Sequence, residues 1–250
     1  MFRVVIPARF DSARLPGKVL LPIGGRPMLQ WVCERALAAG AERVVVATDD
    51  PRVEAAAVQA GVECVMTSSA HLSGTDRIAE VAATLQWAPQ DIIVNLQGDE
   101  PLMPPALIGQ VARVLQEHPD ADIATLAAPI TSAAEFLDPN AVKVVLAADG
   151  RALLFSRAPI PWDRDGAVGA VPGPDSYQQA LRHIGLYAYR LRSLLRIAQL
   201  PPAPLELREK LEQLRALAHG MQIRVAIAAE RPGVDVNTPA DLERIRALLE

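Results

Sequence analysis

The sequence predicts an α/β protein with a mostly parallel sheet covered by helices and a smaller, partly antiparallel lobe. Two patterns carry that expectation. Short apolar runs alternate with stretches of helical period from the amino terminus to about Asp122, the repeating order of βαβ units. Beyond Asp122 strand candidates crowd together without helices between them, which points to an antiparallel element. A chain of 250 residues, half of them hydrophobic, is long enough for one large α/β domain or for a domain carrying a lobe.

Phe2 to Pro7 reads as the first strand. Pro27 to Ala39 reads as a helix with proline in its first turn and Gly40 past its end, and Arg43 to Thr48 as the next strand. Asp50-Pro51 opens a helix that Gly61 closes, and Val62 to Met66 forms a third strand. A Ser/Thr/Gly-rich loop leads into a helix from about Asp76 to Trp87, then Asp91 to Gln97 is the most strand-like run of all. A helix begins near Pro104. The later strand candidates are Ile123 to Ala128, Val142 to Ala147, Ala152 to Phe155 and His183 to Tyr189, with a Pro/Gly/Asp-rich stretch from Ala158 to Ser176 expected to be a long, mobile loop. Leu205 to His219 reads as one helix, Gln222 to Ala228 as a strand and Pro239 to Leu249 as a closing helix, with Thr238 and Asp241 as a capping pair.

Lysine and arginine total 25 against 29 aspartate and glutamate, for a net charge of −4. No basic block is long enough to track a nucleic-acid backbone, so nucleic acid is not expected as a partner. Met1 leads straight into a strand pattern with no signal-peptide regions. No apolar run reaches the ~20 residues that span a bilayer, and a soluble cytoplasmic protein without membrane partners is expected. Cys33 and Cys64 lack Cys-x-x-Cys or His-Cys spacing and read as small core residues rather than a disulfide or zinc site.

The groups that can do chemistry cluster at strand ends. Arg9, Arg14 and Lys18 follow the first strand closely, with Gly17 beside the last. Cations past the carboxyl end of a buried strand suit phosphates, and a glycine lets the backbone approach an anion; the plainer alternative is a solvated loop. Asp99 and Glu100 end the most strand-like run, on the same edge. Magnesium on phosphates is held by one or two carboxylates, and neighbouring side chains diverge, so Asp99 is the favoured ligand. Asp235 and Asn237 can face one way and offer oxygen to a hard cation, or they can be turn chemistry before the last helix. His183, Gly185, Tyr187 and Tyr189 would share one strand face, where such residues more often pack at the edge of a core than touch a ligand. Arg157 and Arg164 bracket a stretch stiffened by Pro159 and Pro161, a spacing that suits a carboxylate. No Gly-x-Gly-x-x-Gly follows a strand, and Ser12 and Val19 break the P-loop pattern around Gly17-Lys18.

Assembled, these segments resemble the 3-deoxy-manno-octulosonate (Kdo) cytidylyltransferases, also called CMP-Kdo synthetases. The likeness spans essentially the whole chain. Its carriers are Ile-Pro-Ala-Arg at 6–9, Arg-Leu-Pro-Gly-Lys at 14–18, Ser-Gly-Thr-Asp-Arg at 73–77 and Val-Asn-Leu-Gln-Gly-Asp-Glu-Pro at 94–101. Pro-Asn-Ala-Val-Lys-Val-Val at 139–145, Phe-Ser-Arg-Ala-Pro-Ile-Pro-Trp-Asp-Arg-Asp at 155–165, Arg-His-Ile-Gly-Leu-Tyr at 182–187 and Leu-Glu-Gln-Leu-Arg at 211–215 continue it.

The resemblance implies a Rossmann-like nucleotidyltransferase fold of the nucleotide-diphospho-sugar transferase kind. Residues 1–122 and 205–250 would form the nucleotide-binding core, and 123–204 a sugar-binding and dimerisation lobe. It also implies magnesium-dependent transfer of a cytidylyl group from CTP to Kdo, with release of pyrophosphate, for bacterial lipopolysaccharide. The implied catalytic groups are Lys18, Arg14 and Asp99, and Ala8, Arg9, Ser73, Arg77 and Gly98 would join Arg14 and Lys18 on the nucleotide. Gln97, Arg157, Arg164, His183, Tyr187, Glu212 and Gln213 would line the sugar pocket, and Asp99 would bind the metal. The family commonly has Val-Asp-Thr-Pro before the last helix, where this chain reads Val236-Asn237-Thr238-Pro239. Asn237 or Asp235 would then be the second ligand. A homodimer is implied as well. The rival readings are a cytidylyltransferase for another acidic sugar, such as sialic acid or amino-Kdo, and a noncatalytic nucleotide-binding module.

Overall fold

Val4, Val5 and Ile6 are all fully buried, and they divide between two cores: Val4 and Ile6 pack on one side of a sheet and Val5 on the other. A strand buried on both faces is the interior strand of a parallel sheet. The computed structural model describes residues 1–11, 15–71, 73–166, 173 and 175–249.

In chain order the elements begin with β1 (Arg3–Pro7), β2 (Pro22–Ile23), β3 (Arg26–Pro27), α1 (Met28–Leu37), β4 (Arg43–Thr48), α2 (Pro51–Gln59), β5 (Glu63–Met66), α3 (Gly74–Thr84) and β6 (Ile92–Asn95). They continue with α4 (Pro105–Glu117), β7 (Ile123–Pro129), α5 (Ala133–Leu137), β8 (Lys143–Leu146), β9 (Ala152–Ser156) and β10 (Leu181–Arg190). The last are α6 (Leu191–Gln199), α7 (Pro204–Glu209), α8 (Gln213–Ala218), β11 (Ile223–Ile227) and α9 (Pro239–Leu249).

The main sheet has the order β5-β4-β1-β6-β10-β7-β11 among the described residues. Pairing is parallel throughout except at β10, which runs antiparallel to both β6 and β7. β8 and β9 extend the far end of β10 as an antiparallel hairpin. The antiparallel element expected after Asp122 is therefore β8, β9 and β10, whereas β7 lies within the main sheet beside β11. The sheet itself runs through both stretches of chain assigned to separate units. Helices α1, α2 and α4 cover one face and α3, α6 and α8 the other, while α9 packs Leu242 and Ile245 against Ile23, Met28 and Val236.

From β1 the chain builds outward through β4 and β5, then returns to place β6 on the opposite side of β1. That reversal is a switch point, and open α/β sheets bind ligands in the crevice it leaves at the carboxyl ends of the strands.

Four helical segments depart from the sequence reading. The expected helix over 205–219 is broken into α7 and α8 at Lys210, which adopts a left-handed conformation with φ 55. Helix α5 was not expected, although Ser132 and Glu135 form a capping pair that marks it: Glu135 N–H donates to Ser132 Oγ at 3.2 Å. Helix α6 was also missed, although Leu191, Leu194 and Ile197 recur at helical spacing and are buried. Helix α3 starts at Gly74 rather than Asp76, because Ser73 caps it by accepting from Asp76 N–H at 3.1 Å. The capping pair at α9 is present: Thr238 N–H donates to Asp241 Oδ2 at 2.9 Å and Asp241 N–H to Thr238 Oγ1 at 3.2 Å. The loop expected over 158–176 lies partly outside the described residues.

Candidate active site

Two clefts open at the carboxyl ends of β1 and β6, and Gln97 lines both. The first spans about 490 Å³ of space open to solvent and takes Arg9 from the loop after β1, His71 and Ser73 from the loop before α3, and Gly74 and Arg77 from the start of α3. The second, of about 440 Å³, lies under the sheet and takes Asn95, Tyr187, Tyr189, Thr75, Glu212 and Gln213 as its polar wall.

Glycine eases the close approach where the strands converge. A Cβ on Gly98 would stand 3.2 Å from the carbonyl oxygen of Pro7 and 3.4 Å from the Ala8 side chain, so a larger residue there would have to push the chain after β6 away from the end of β1 by a few tenths of an ångström. Gly17 serves a turn rather than an anion: its φ is 66, its N–H donates to the Phe10 carbonyl at 3.0 Å, and a Cβ there would meet the Phe10 ring at 3.1 Å. Arg14 lies outside the described residues.

In the first cleft Arg77 is buried at 3% exposure and held in place by Thr67 Oγ1 and by Asp49 Oδ2 at 3.2 Å. His71 pairs through Nε2 with Glu80, whose carboxylate also accepts from Ser68 N–H at 2.9 Å; that backbone hydrogen bond above all holds Glu80 below the usual carboxylate range. Sequence reasoning passed over His71, although it stands two residues before the Ser73 cap.

In the second cleft burial pushes the Glu212 carboxyl up, while the Thr75 hydroxyl works the other way. Tyr187 and Tyr189 stack with ring centroids 5.7 Å apart, and burial pushes both phenols up. His183 lines neither cleft. It is packed behind Tyr187 at 5.2 Å and edge-on to Phe155 at 4.9 Å, and burial pulls its pKa down to about 3. The break at Lys210 between α7 and α8 is what brings Glu212 and Gln213 to the cleft. Asn95, Thr75 and Tyr189 were not singled out as site residues. Asn95 and Tyr189 carried a signal in their period-two spacing from Gln97 and Tyr187.

Beside the clefts is a cluster of charge. Lys18 Nζ donates to Asp99 Oδ2 and lies 3.4 Å from the Val236 carbonyl. Val236 N–H donates to the Asp99 carbonyl at 2.9 Å, tying the 235–237 segment to the end of β6. Asn237 Nδ2 donates to Asp235 Oδ2. Asp99 stands several residues before α4, whose cap is Pro104, so it is not a helix cap. Burial raises the Glu100 carboxyl well above its ordinary range, and Asp99 and Asp235 push it the same way. Its Oε2 is buried with no hydrogen-bond partner. The carboxylates of Asp99 and Asp235 and the amide of Asn237 are the hard oxygen donors that magnesium takes, so this donor set fits that ion.

Besides His183, two more of the expected sugar residues are elsewhere. Arg157 donates from Nε to the Glu209 carbonyl at 2.7 Å and from Nη1 to the Pro139 carbonyl at 2.8 Å. The Arg164 side chain is 89% exposed and pairs with Asp165 at 3.0 Å. Neither lines the two clefts.

A switch-point crevice with a cationic side, an acidic side and a second polar cleft is the layout of a nucleotidyl-transferring enzyme, and comparison places the chain in such a class. Residues 3–223 match the family model described as cytidylyltransferase, and the chain belongs to that family. Within it, the sequence is 54% identical over 248 residues to a 3-deoxy-manno-octulosonate cytidylyltransferase of Thioalkalivibrio sulfidiphilus, covering 99% of this chain and 98% of that one. It is 53% identical over 249 residues to the enzyme of the same name from Halorhodospira halophila, covering 100% and 97%. The structure of a CMP:2-keto-3-deoxy-manno-octonic acid synthetase complexed with CTP superposes with a TM-score of 0.89 at 44% identity, covering 99% of this chain and 98% of that one. A cytidylyltransferase structure from Leptospira borgpetersenii, at 19% identity and a TM-score of 0.62, covers 98% of this chain and 84% of that one and shares the fold.

Proposed function

We propose that this protein transfers the cytidylyl group of CTP to 3-deoxy-manno-octulosonate, giving CMP-Kdo and pyrophosphate for lipopolysaccharide synthesis in the cytoplasm. The observation that carries this reading is the pair of clefts meeting at Gln97 beside Lys18 and Asp99, in a chain more than half identical, end to end, to enzymes of that name. The first cleft would take the nucleotide and the second the sugar.

The task is to hold two anions together while charge moves toward the leaving pyrophosphate, so positioning and electrostatics carry the rate. The sugar's anomeric oxygen attacks the α-phosphorus, the bond to the β-phosphate breaks, and the hydroxyl proton is lost. Arg9 and Arg77 bring positive charge to the first cleft, Ala8, Ser73 and Gly98 let the nucleotide approach the backbone, and Arg14 belongs to the same loop. Lys18 is assigned to meet charge on the transferring group. Asp99, with Asp235 or Asn237, would hold magnesium, which neutralises phosphate charge when bound. Gln97, Tyr187, Glu212 and Gln213 are assigned to the sugar's hydroxyls, with His183 steadying Tyr187 from behind. Arg157 and Arg164 are assigned to the sugar carboxylate by resemblance alone. A core of 1–122 and 205–250, a lobe of 123–204 and a homodimer belong to the same reading.

The test is pyrophosphate release from CTP with a panel of acidic sugars, each across a magnesium titration. Turnover with Kdo well above that with sialic acid is expected. A preference for another acidic sugar would replace the substrate, and CTP binding without turnover on any sugar would overturn the enzyme reading.

A further inference from the structure

Gln97 stands where the two clefts meet, yet the contact that holds it comes from the strand behind. Its Nε2 donates to Asn95 Oδ1 at 3.2 Å. Asn95 is the last residue of β6 and is 4% exposed, with Val5 and Tyr187 as its partners on the flanking strands. Two residues earlier on the same face stands Ile93, fully buried and apolar, in the position that Asn95 repeats one step nearer the cleft. A buried amide costs stability unless its polar atoms are used, and leucine would fill the same space without that cost. The amide is therefore to be explained by what it holds.

A glutamine carboxamide has a donating end and an accepting end, and turning it over exchanges them. With one Nε2 hydrogen committed to Asn95, the carboxamide cannot turn over without losing that bond, and the Oε1 of Gln97 is the accepting end left for the junction of the clefts. We propose that Asn95 is a positioning residue that fixes Gln97 with its accepting oxygen toward the sugar, so that the site selects an acceptor substrate donating a hydroxyl hydrogen at the junction. This rests on the cytidylyl-transfer reading given above. Although Asn95 also lines the second cleft, its effect on the sugar runs through Gln97, and it has no part in holding CTP.

The test is a double-mutant cycle of Asn95→Leu and Gln97→Ala on the full chain. Asn95→Leu alone should lower kcat/KM for the sugar about ten- to a hundredfold, the scale of a misplaced substrate contact. The CTP dissociation constant, measured by calorimetry without sugar, should stay within about threefold. In the Gln97→Ala background the same substitution should cost less than about twofold, since the group it positions is gone. An undiminished loss in that background, or CTP affinity falling in step, overturns the proposal. Asn95→Ser, uncharged and too short to reach Gln97, serves where Asn95→Leu does not fold: kcat/KM for the sugar at least about tenfold below wild type with the CTP dissociation constant within about threefold is expected, and a smaller loss for the sugar overturns the proposal. Wild-type protein that turns over no acidic sugar would instead sink the activity reading, and is seen before any variant is compared.

Discussion

Replacing His183 by glutamine should flatten the acid side of the stability curve. His183 lies on β10 with Nε2 3.0 Å from Thr125 Oγ1, in a site that admits little solvent. The Thr125 hydroxyl lies 2.9 Å from the carbonyls of both Ile184 and Leu186 and donates at the irregularity between Ile184 and Tyr187, so it accepts from a neutral imidazole N–H. Burial, with the Arg182 charge adding to it, pulls the His183 pKa from 6.5 down to about 3. The unfolded chain therefore binds the extra proton between those values. Stability from keeping this ring neutral is complete above the unfolded value and drains away as pH falls toward the folded one. At pH 5 the deficit from this site is about 2 kcal/mol, roughly one and a half units at ~1.4 kcal/mol each. Urea unfolding at about pH 7.5 and 5.0, with the slope checked for constancy, measures it in wild type and His183→Gln. The wild type should lose about 2 kcal/mol more than the variant over that interval. Equal losses would refute the burial argument.

Lys18→Ala should lower kcat by about 100- to 1000-fold, the scale for removing a group that meets charge developing in the transition state, while CTP affinity changes only severalfold. Single-turnover rates and CTP calorimetry separate the two, and the reverse pattern would make Lys18 an anchor. Asp99→Asn should nearly abolish turnover, and Asp235→Asn should raise the magnesium needed for half-maximal rate about tenfold and weaken magnesium binding to the CTP complex in calorimetry. Unchanged magnesium dependence in Asp235→Asn would leave Asn237 as the partner of Asp99.

Where hydrophobic period and punctuation agree, sequence and structure coincide. The strand Arg43–Thr48 and the helix Pro239–Leu249 have the bounds the pattern predicts, because each shows a strong period and clear stop signals. Helix α6 was lost because it follows β10 without a turn residue between them, and Leu191 reads equally well as the end of a strand. The split at Lys210 could not be read, since a left-handed lysine has no mark in sequence and is held by the Glu206 to Arg215 pair across the turn, at 2.6 Å and 2.9 Å.

By itself the sequence determined the alternating α/β order, the cations after β1, the carboxylate at the end of β6 and the family, because these are written in contiguous residues. Only the tertiary structure decided that Lys18 meets Asp99, that the 235–237 segment lies against them, and that Gln97, hydrogen-bonded to Asn95, lines two clefts. It also seated Arg157 on the carbonyls of Pro139 and Glu209, far along the chain from one another. Such contacts depend on strand order and on the direction of β10 in the sheet, and neither is encoded in any local stretch of the chain.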